Sequence, residues 1–154
     1  MSLVVPQEGP CPFCQYLDET RSAAFVARGE IASAFVNPTQ YGHGALLVVP
    51  NRHVTTILDA RAAEVEAVAR LAQRVSRALA HAFAPVGLNV FQNNGRASGQ
   101  HVPHYHVHVV PRYDATEPSR LFRARDFPFL EAAELDPVAA EIRRALAETA
   151  EDRS

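Results

Sequence analysis

The sequence predicts an α+β fold, an antiparallel sheet with helices packed on one side. Three observations predict it. Short β-rich runs lie on both sides of a long helical period, most connections between them are short turns, and one run alternates histidine with apolar residues. At 154 residues the chain is the size of one domain, and 1–154 reads as a single unit without an internal repeat.

The runs 31–37 (IASAFVN) and 44–50 (GALLVVP) flank the turn-like PTQYGH and form a hairpin or meander. The second run is apolar on both faces, which predicts a central strand. From 58 to 83, Val65, Val68, Leu71, Ala72, Val75, Leu79 and Phe83 recur at three- and four-residue steps, the stripe of one long amphipathic helix. Asp59 is the expected N-cap, and Pro85 with Gly87 supplies the stop. Two further strands, 88–94 (LNVFQNN) and 104–111 (HYHVHVVP), are joined by the polar loop GRASGQ. After Tyr113 no element is assigned until Asp136 and Pro137, which open a short C-terminal helix with Val138, Ile142 and Leu146 as its stripe.

Hydrophobic residues make up 47% and charged residues 21%, a soluble globular profile. A net charge of −2 gives no footprint for nucleic acid, and no stretch approaches the ~18 apolar residues of a membrane span. The N-terminus lacks the basic and apolar regions of a signal peptide, so the expected location is cytoplasmic. All 15 basic residues are arginines, which excludes a Schiff-base lysine and a P-loop lysine.

Four of the seven histidines fall between His101 and His108. In a strand, residues i, i+2 and i+4 share a face, so His104, His106 and His108 point one way. Between Ala84 and Tyr113 there is no Asp or Glu, while Arg96 and Arg112 flank the histidines, so the stretch is locally cationic and suited to an anionic substrate. The loop QNNGRASGQ adds amides at Gln92, Asn93, Asn94 and Gln100, and glycines at 95 and 99 that let backbone N–H groups approach an anion. The two cysteines form CPFC, Cys11 and Cys14, a spacing used for zinc and for thiol redox chemistry. The βαβ setting of the redox use is missing, and a structural zinc needs two more ligands.

His104-Tyr-His106-Val-His108-Val-Val, with NNG and GQ before it and PR after it, resembles the signature of the histidine triad (HIT) superfamily of nucleotide hydrolases and transferases. The resemblance extends over CPFC, FVNPTQYGHGALLVVPNRH and the long helix. It implies a sheet of about five strands, a homodimer, and attack by His106 Nε2 on the α-phosphate of a purine nucleotide conjugate to form a nucleotidyl-histidine. A phosphoramidate or a dinucleoside polyphosphate would be such a substrate. Asn93, Gln100, His108 and the backbone at Gly99 would hold the phosphate, Asn37 would meet the ribose, and His101 would lie near the phosphate or leaving group without an assigned role. The resemblance to bacterial zinc-containing members further implies a structural zinc on Cys11, Cys14, His53 and His104. His43 lies two residues before the position at which the family carries a histidine, where this chain has Ala45. A nucleotide-binding module without turnover, and a metallohydrolase using the triad as catalytic ligands, are the alternative readings.

Overall fold

A computed structural model describes residues 3–7, 9–114 and 126–151. In chain order the elements are α1 (Pro12–Leu17), β1 (Phe25–Arg28), β2 (Ala32–Val36), β3 (Leu46–Pro50), α2 (Ala62–Phe83), β4 (Gly87–Gln92), a 3₁₀ turn (Arg96–Ser98), β5 (Val107–Arg112) and α3 (Ala132–Glu151). The five strands form one antiparallel sheet in the order β1-β2-β3-β5-β4, the α+β class that the sequence predicts.

Alternation decides what covers each face. Ala34 and Val36 of β2, Leu46 and Val48 of β3, and Val107 and Val109 of β5 face α2 and α3 in the main core with Val68, Val75, Leu79 and Ile142. Full burial of such a side chain stabilises by about 1.5–3 kcal/mol. On the opposite face Phe35, Leu47 and Val49 pack against Phe13 and Tyr16 of α1. Every residue of β3 is buried, so it is the central strand its two-sided apolar run predicts.

Three boundaries differ from expectation. α2 begins at Ala62, not after Asp59, because Glu64 reaches back to accept the Arg61 N–H at 2.8 Å and satisfies the first turn itself. Asp59 instead accepts a hydrogen bond from the Thr56 hydroxyl at 2.8 Å. α3 starts a turn before Asp136, leaving Pro137 inside the helix. Leu135, 2% exposed, extends the buried stripe of Ala139 and Ile142 back by one turn, and its burial outweighs the one hydrogen bond Pro137 cannot make. The β5 ladder begins at Val107, and His104 to His106 form the strand's approach, tied by the Tyr105 N–H to the Val54 carbonyl. α1 and β1 have no counterpart in the sequence reading.

Candidate active site and adjoining metal cluster

The face of the sheet that carries α1 holds a cavity of about 520 Å³. His106 and His108 reach it from β5, Asn37 from the end of β2, and Asn93, Gly99 and His101 from the loop between β4 and β5. On the other side of β5, Tyr105, Val107 and Val109 enter the main core.

His106 is buried, and its Nδ1 donates to the His104 carbonyl at 2.6 Å. That bond fixes the tautomer and leaves Nε2 with its lone pair. Burial pushes the His106 pKa below its ordinary value, against the opposing pull of the His104 carbonyl, so the ring is neutral at neutral pH. His108 is pushed down to about 3 by burial and by His106 and His101. Its ring stacks on Phe91 with centroids 4.5 Å apart and planes at 5°. Among the described residues its buried Nδ1 has no protein partner.

The loop divides its polar groups between the cavity and its own scaffold. Gln100 is 2% exposed and does not line the cavity. Its amide donates to the Thr55 carbonyl at 2.7 Å and the Val102 carbonyl at 3.0 Å, and accepts the Gly95 N–H at 2.7 Å. Gln100 therefore braces the loop. The Gly99 N–H is likewise committed, to the Arg96 carbonyl at 3.0 Å; glycine is needed there for a φ of 91°. Gln92 and Asn94 bond one another at 2.6 and 2.9 Å, and Asn94 also accepts the Ile57 N–H. Asn93, Ser98 and His101 are the polar residues of the loop that line the cavity. Asn37 is buried, with its Oδ1 accepting the Thr39 N–H at 3.0 Å, which leaves its NH₂ for a hydroxyl oxygen. His43 lies elsewhere, edge-on to Phe83 at 4.8 Å.

Immediately beside the nucleophile candidate, Cys11, Cys14, His53 and His104 place their ligand atoms within 4.8 Å of one another. His104 Nδ1 lies 3.5 Å from Cys11 Sγ and 3.6 Å from Cys14 Sγ, and His53 Nδ1 lies 3.2 Å from Cys14 Sγ. In a tetrahedral zinc site, bonds of about 2.3 Å to sulfur and about 2.0–2.1 Å to nitrogen put sulfur and nitrogen about 3.6 Å apart. The His104 Nε2–H donates to the Pro50 carbonyl at 2.9 Å, which turns the Nδ1 lone pair to the thiols. Burial and the neighbouring Cys11 push the Cys14 thiol up to about 12, and burial pushes His104 down to about 4. Two thiols and two imidazole nitrogens at these spacings fit a divalent metal.

α1 serves both centres. Phe13, between the two cysteines, packs edge-on against His106 at 5.2 Å and His104 at 5.9 Å. Sequence reasoning missed Phe13, Tyr16, Arg21, Tyr41 and Phe91 as lining residues. The position of Phe13 inside CPFC was the available signal, since a metal knuckle must carry it onto the sheet.

A family model described as the HIT domain matches residues 19–115. The chain is similar to Protein hit of Bacillus subtilis, 33% identical over 103 residues, which covers 67% of this chain and 71% of that protein. It is also similar to an adenosine 5'-monophosphoramidase of Schizosaccharomyces pombe, 30% identical over 66% of this chain and 74% of that one. Among solved structures, a zinc-bound histidine triad family protein from Mycobacterium smegmatis matches with a TM-score of 0.77 and 25% identity, covering 92% of this chain and 96% of that one. With most of its length matched and His106 and His108 on the cavity wall, the chain belongs to the HIT domain family.

Proposed function

We propose that this protein is a nucleotide hydrolase or transferase that acts at the α-phosphate of a purine nucleotide conjugate, such as a phosphoramidate or a dinucleoside polyphosphate. The observation that carries the reading is the hydrogen bond from His106 Nδ1 to the His104 carbonyl, which aims a neutral Nε2 into a cavity lined, among the described residues, by polar and aromatic side chains and no carboxylate. The monophosphoramidase name of the S. pombe relative supports the reaction class.

In the first step Nε2 of His106 forms a bond to phosphorus as the bond to the leaving group breaks. The carbonyl of His104 stabilises the positive charge that develops on the ring, which explains why no acidic partner is needed. Asn93 and His108 flank the phosphate, and Gln100, Gly99 and Ser98, whose hydroxyl donates to the Asn94 and Gly95 carbonyls, position the loop that carries Asn93. His101 is exposed on the cavity wall. Water then cleaves the phosphorus–nitrogen bond, returning the neutral ring and a nucleoside monophosphate. Asn37 meets the ribose through its NH₂ group.

Cys11, Cys14, His53 and His104 would hold a zinc ion whose four positions are filled by protein, so its contribution when bound is a cross-link between α1 and the sheet. Among the described residues that set is the one cluster of three or more metal-type ligands, and His106 and His108 lie outside it, which favours a structural over a catalytic ion. Free Cys11 and Cys14 suit a reducing compartment, in keeping with a cytoplasmic protein whose residues 1–154 form one HIT domain. Among the described residues no helix is long and apolar enough to cross a membrane. A homodimer is supported by the outer edge of β4, where Leu88 and Val90, with Val86 just before them, are exposed.

The test is chemical. Enzyme quenched during turnover of a labelled nucleoside phosphoramidate should carry an acid-labile, base-stable adduct on the peptide containing His106. Turnover without any such adduct would replace this mechanism with direct attack by water.

A further inference from the structure

The cavity is polar at one end and aromatic at the other. Asn93, Ser98 and His101 line the part beside the β4–β5 loop. From His106 the aromatic wall runs outward in steps, to Phe13 at 5.2 Å, from Phe13 to Tyr16 at 6.1 Å, and from Tyr16 to the guanidinium of Arg21 at 5.4 Å. Arg21 also stands 5.8 Å from the Phe129 ring, which an isolated bridge to Thr39 holds at the cavity wall. Among the described residues no carboxylate is ion-paired with Arg21, although Glu131 lines a neighbouring crevice with it.

This arrangement suits a ligand with one anionic and one flat aromatic end. Its phosphate belongs with the donors around His106 and its ring against Phe13 and Tyr16, because a base stacks on an aromatic face and a phosphate does not. Next to Tyr16 on that wall stands Arg21.

We infer that Arg21 reads the edge of the base and selects guanine or hypoxanthine over adenine. The inference rests on the nucleotide reading above. A guanidinium offers a planar fork of donors and no acceptor. Guanine and hypoxanthine present two adjacent acceptors, O6 and N7, which satisfy the fork; adenine presents N7 beside the N6 amino group, so one N–H would face another. The aromatic contacts with Tyr16 and Phe129 keep the guanidinium at this end of the cavity without neutralising it. This preference departs from the adenosine in the S. pombe relative's name.

Calorimetric titration of the whole chain with GMP, IMP and AMP tests it, for the wild type, Arg21→Met and Arg21→Lys. The wild type should bind GMP and IMP at least about tenfold tighter than AMP. IMP lacks the 2-amino group, so its agreement with GMP isolates the O6–N7 edge. Arg21→Met keeps apolar packing against the rings and should bring the guanine-to-adenine ratio close to one; Arg21→Lys keeps the charge without the fork and should lower the ratio too. Equal wild-type affinities, a ratio that survives both substitutions, or a loss in Arg21→Met that is the same for all three nucleotides would each overturn the inference, the last by placing Arg21 on the phosphate. Selective binding without turnover of any phosphoramidate would leave the inference standing and remove the catalytic reading. Failure of all three nucleotides to bind would remove both.

Discussion

The carbonyl of His104 accepts the Nδ1–H of His106 at 2.6 Å, while the ring of the same His104 turns its Nδ1 to Cys11 Sγ at 3.5 Å. One residue thus belongs to the cluster of two cysteines and two histidines through its side chain and to His106, the proposed nucleophile, through its backbone. The cluster and the reactive ring are mechanically joined.

Replacing His106 by Asn should leave the fold and the metal content intact and lower kcat by at least about a thousandfold, a barrier increase of about 4 kcal/mol. Single-turnover kinetics on a phosphoramidate, with metal analysis of the same preparation, checks this. A variant that keeps a tenth of wild-type kcat would mean that His106 is not the nucleophile.

Protein purified without added metal or chelator should contain close to one zinc per chain, and Cys14→Ser should contain less than about a tenth of that. Removing the ion should raise hydrogen exchange in α1 first, since Phe13 and Tyr16 then hold it to the sheet alone. Elemental analysis and exchange mass spectrometry read the two effects separately; stoichiometric metal in Cys14→Ser would exclude that residue as a ligand.

Glu64 couples stability to acid. Its carboxylate accepts Arg52 through two bonds of 2.6 and 2.8 Å, with Oε2 also taking the Arg61 N–H. These bonds, Arg52 first, hold its pKa at about 2, below the usual 4.5. Because the folded pKa is depressed, the stabilisation is fully present above pH 4.5 and is lost as pH falls toward 2. Glu64→Gln should therefore melt below wild type at pH 7, and the gap in Tm should narrow as pH falls from about 4.5 to about 2. A gap that stays constant over that range would show that the charge of Glu64 is not what stabilises the start of α2.

If the β4 edge pairs two copies, light scattering at micromolar concentration should give twice the chain mass of 16.9 kDa. Val90→Asp, at a position 54% exposed in the single chain, should give the monomer mass without changing the melting profile of the fold by more than the loss of the interface. A wild-type monomer at that concentration would refute the dimer.

What the sequence made legible was whatever depends on periodicity. The alternation of histidine with Tyr105, Val107 and Val109 specifies two faces without any structure, and the three- and four-residue steps from Val65 to Leu79 do the same for α2. The ligand set was legible once the family resemblance supplied His53 and His104. Direction within loops was not. Gln100 and Asn93 are both amides in one polar loop, yet Gln100 turns inward to three backbone groups and Asn93 faces the cavity, a choice made by the carbonyls of Thr55 and Val102, far and near in sequence. α1 was invisible because six residues have too little intrinsic helix stability to leave a signal; Phe13 and Tyr16 stabilise it by packing on Phe35.

The two-faced approach to β5 imposes a parity rule on the chain. Tyr105 is pinned to Val54 and Val107 to the ladder, so each residue from His104 to Val109 has its side of the sheet decided by whether its number is odd or even. Deleting one residue between His104 and Val107 while the ladder holds Val107 would carry His104 to the side now taken by Tyr105, toward the apolar core. Lengthening or shortening by two keeps the parity. Insertions and deletions in this stretch are therefore constrained in even steps, independently of which side chains they carry.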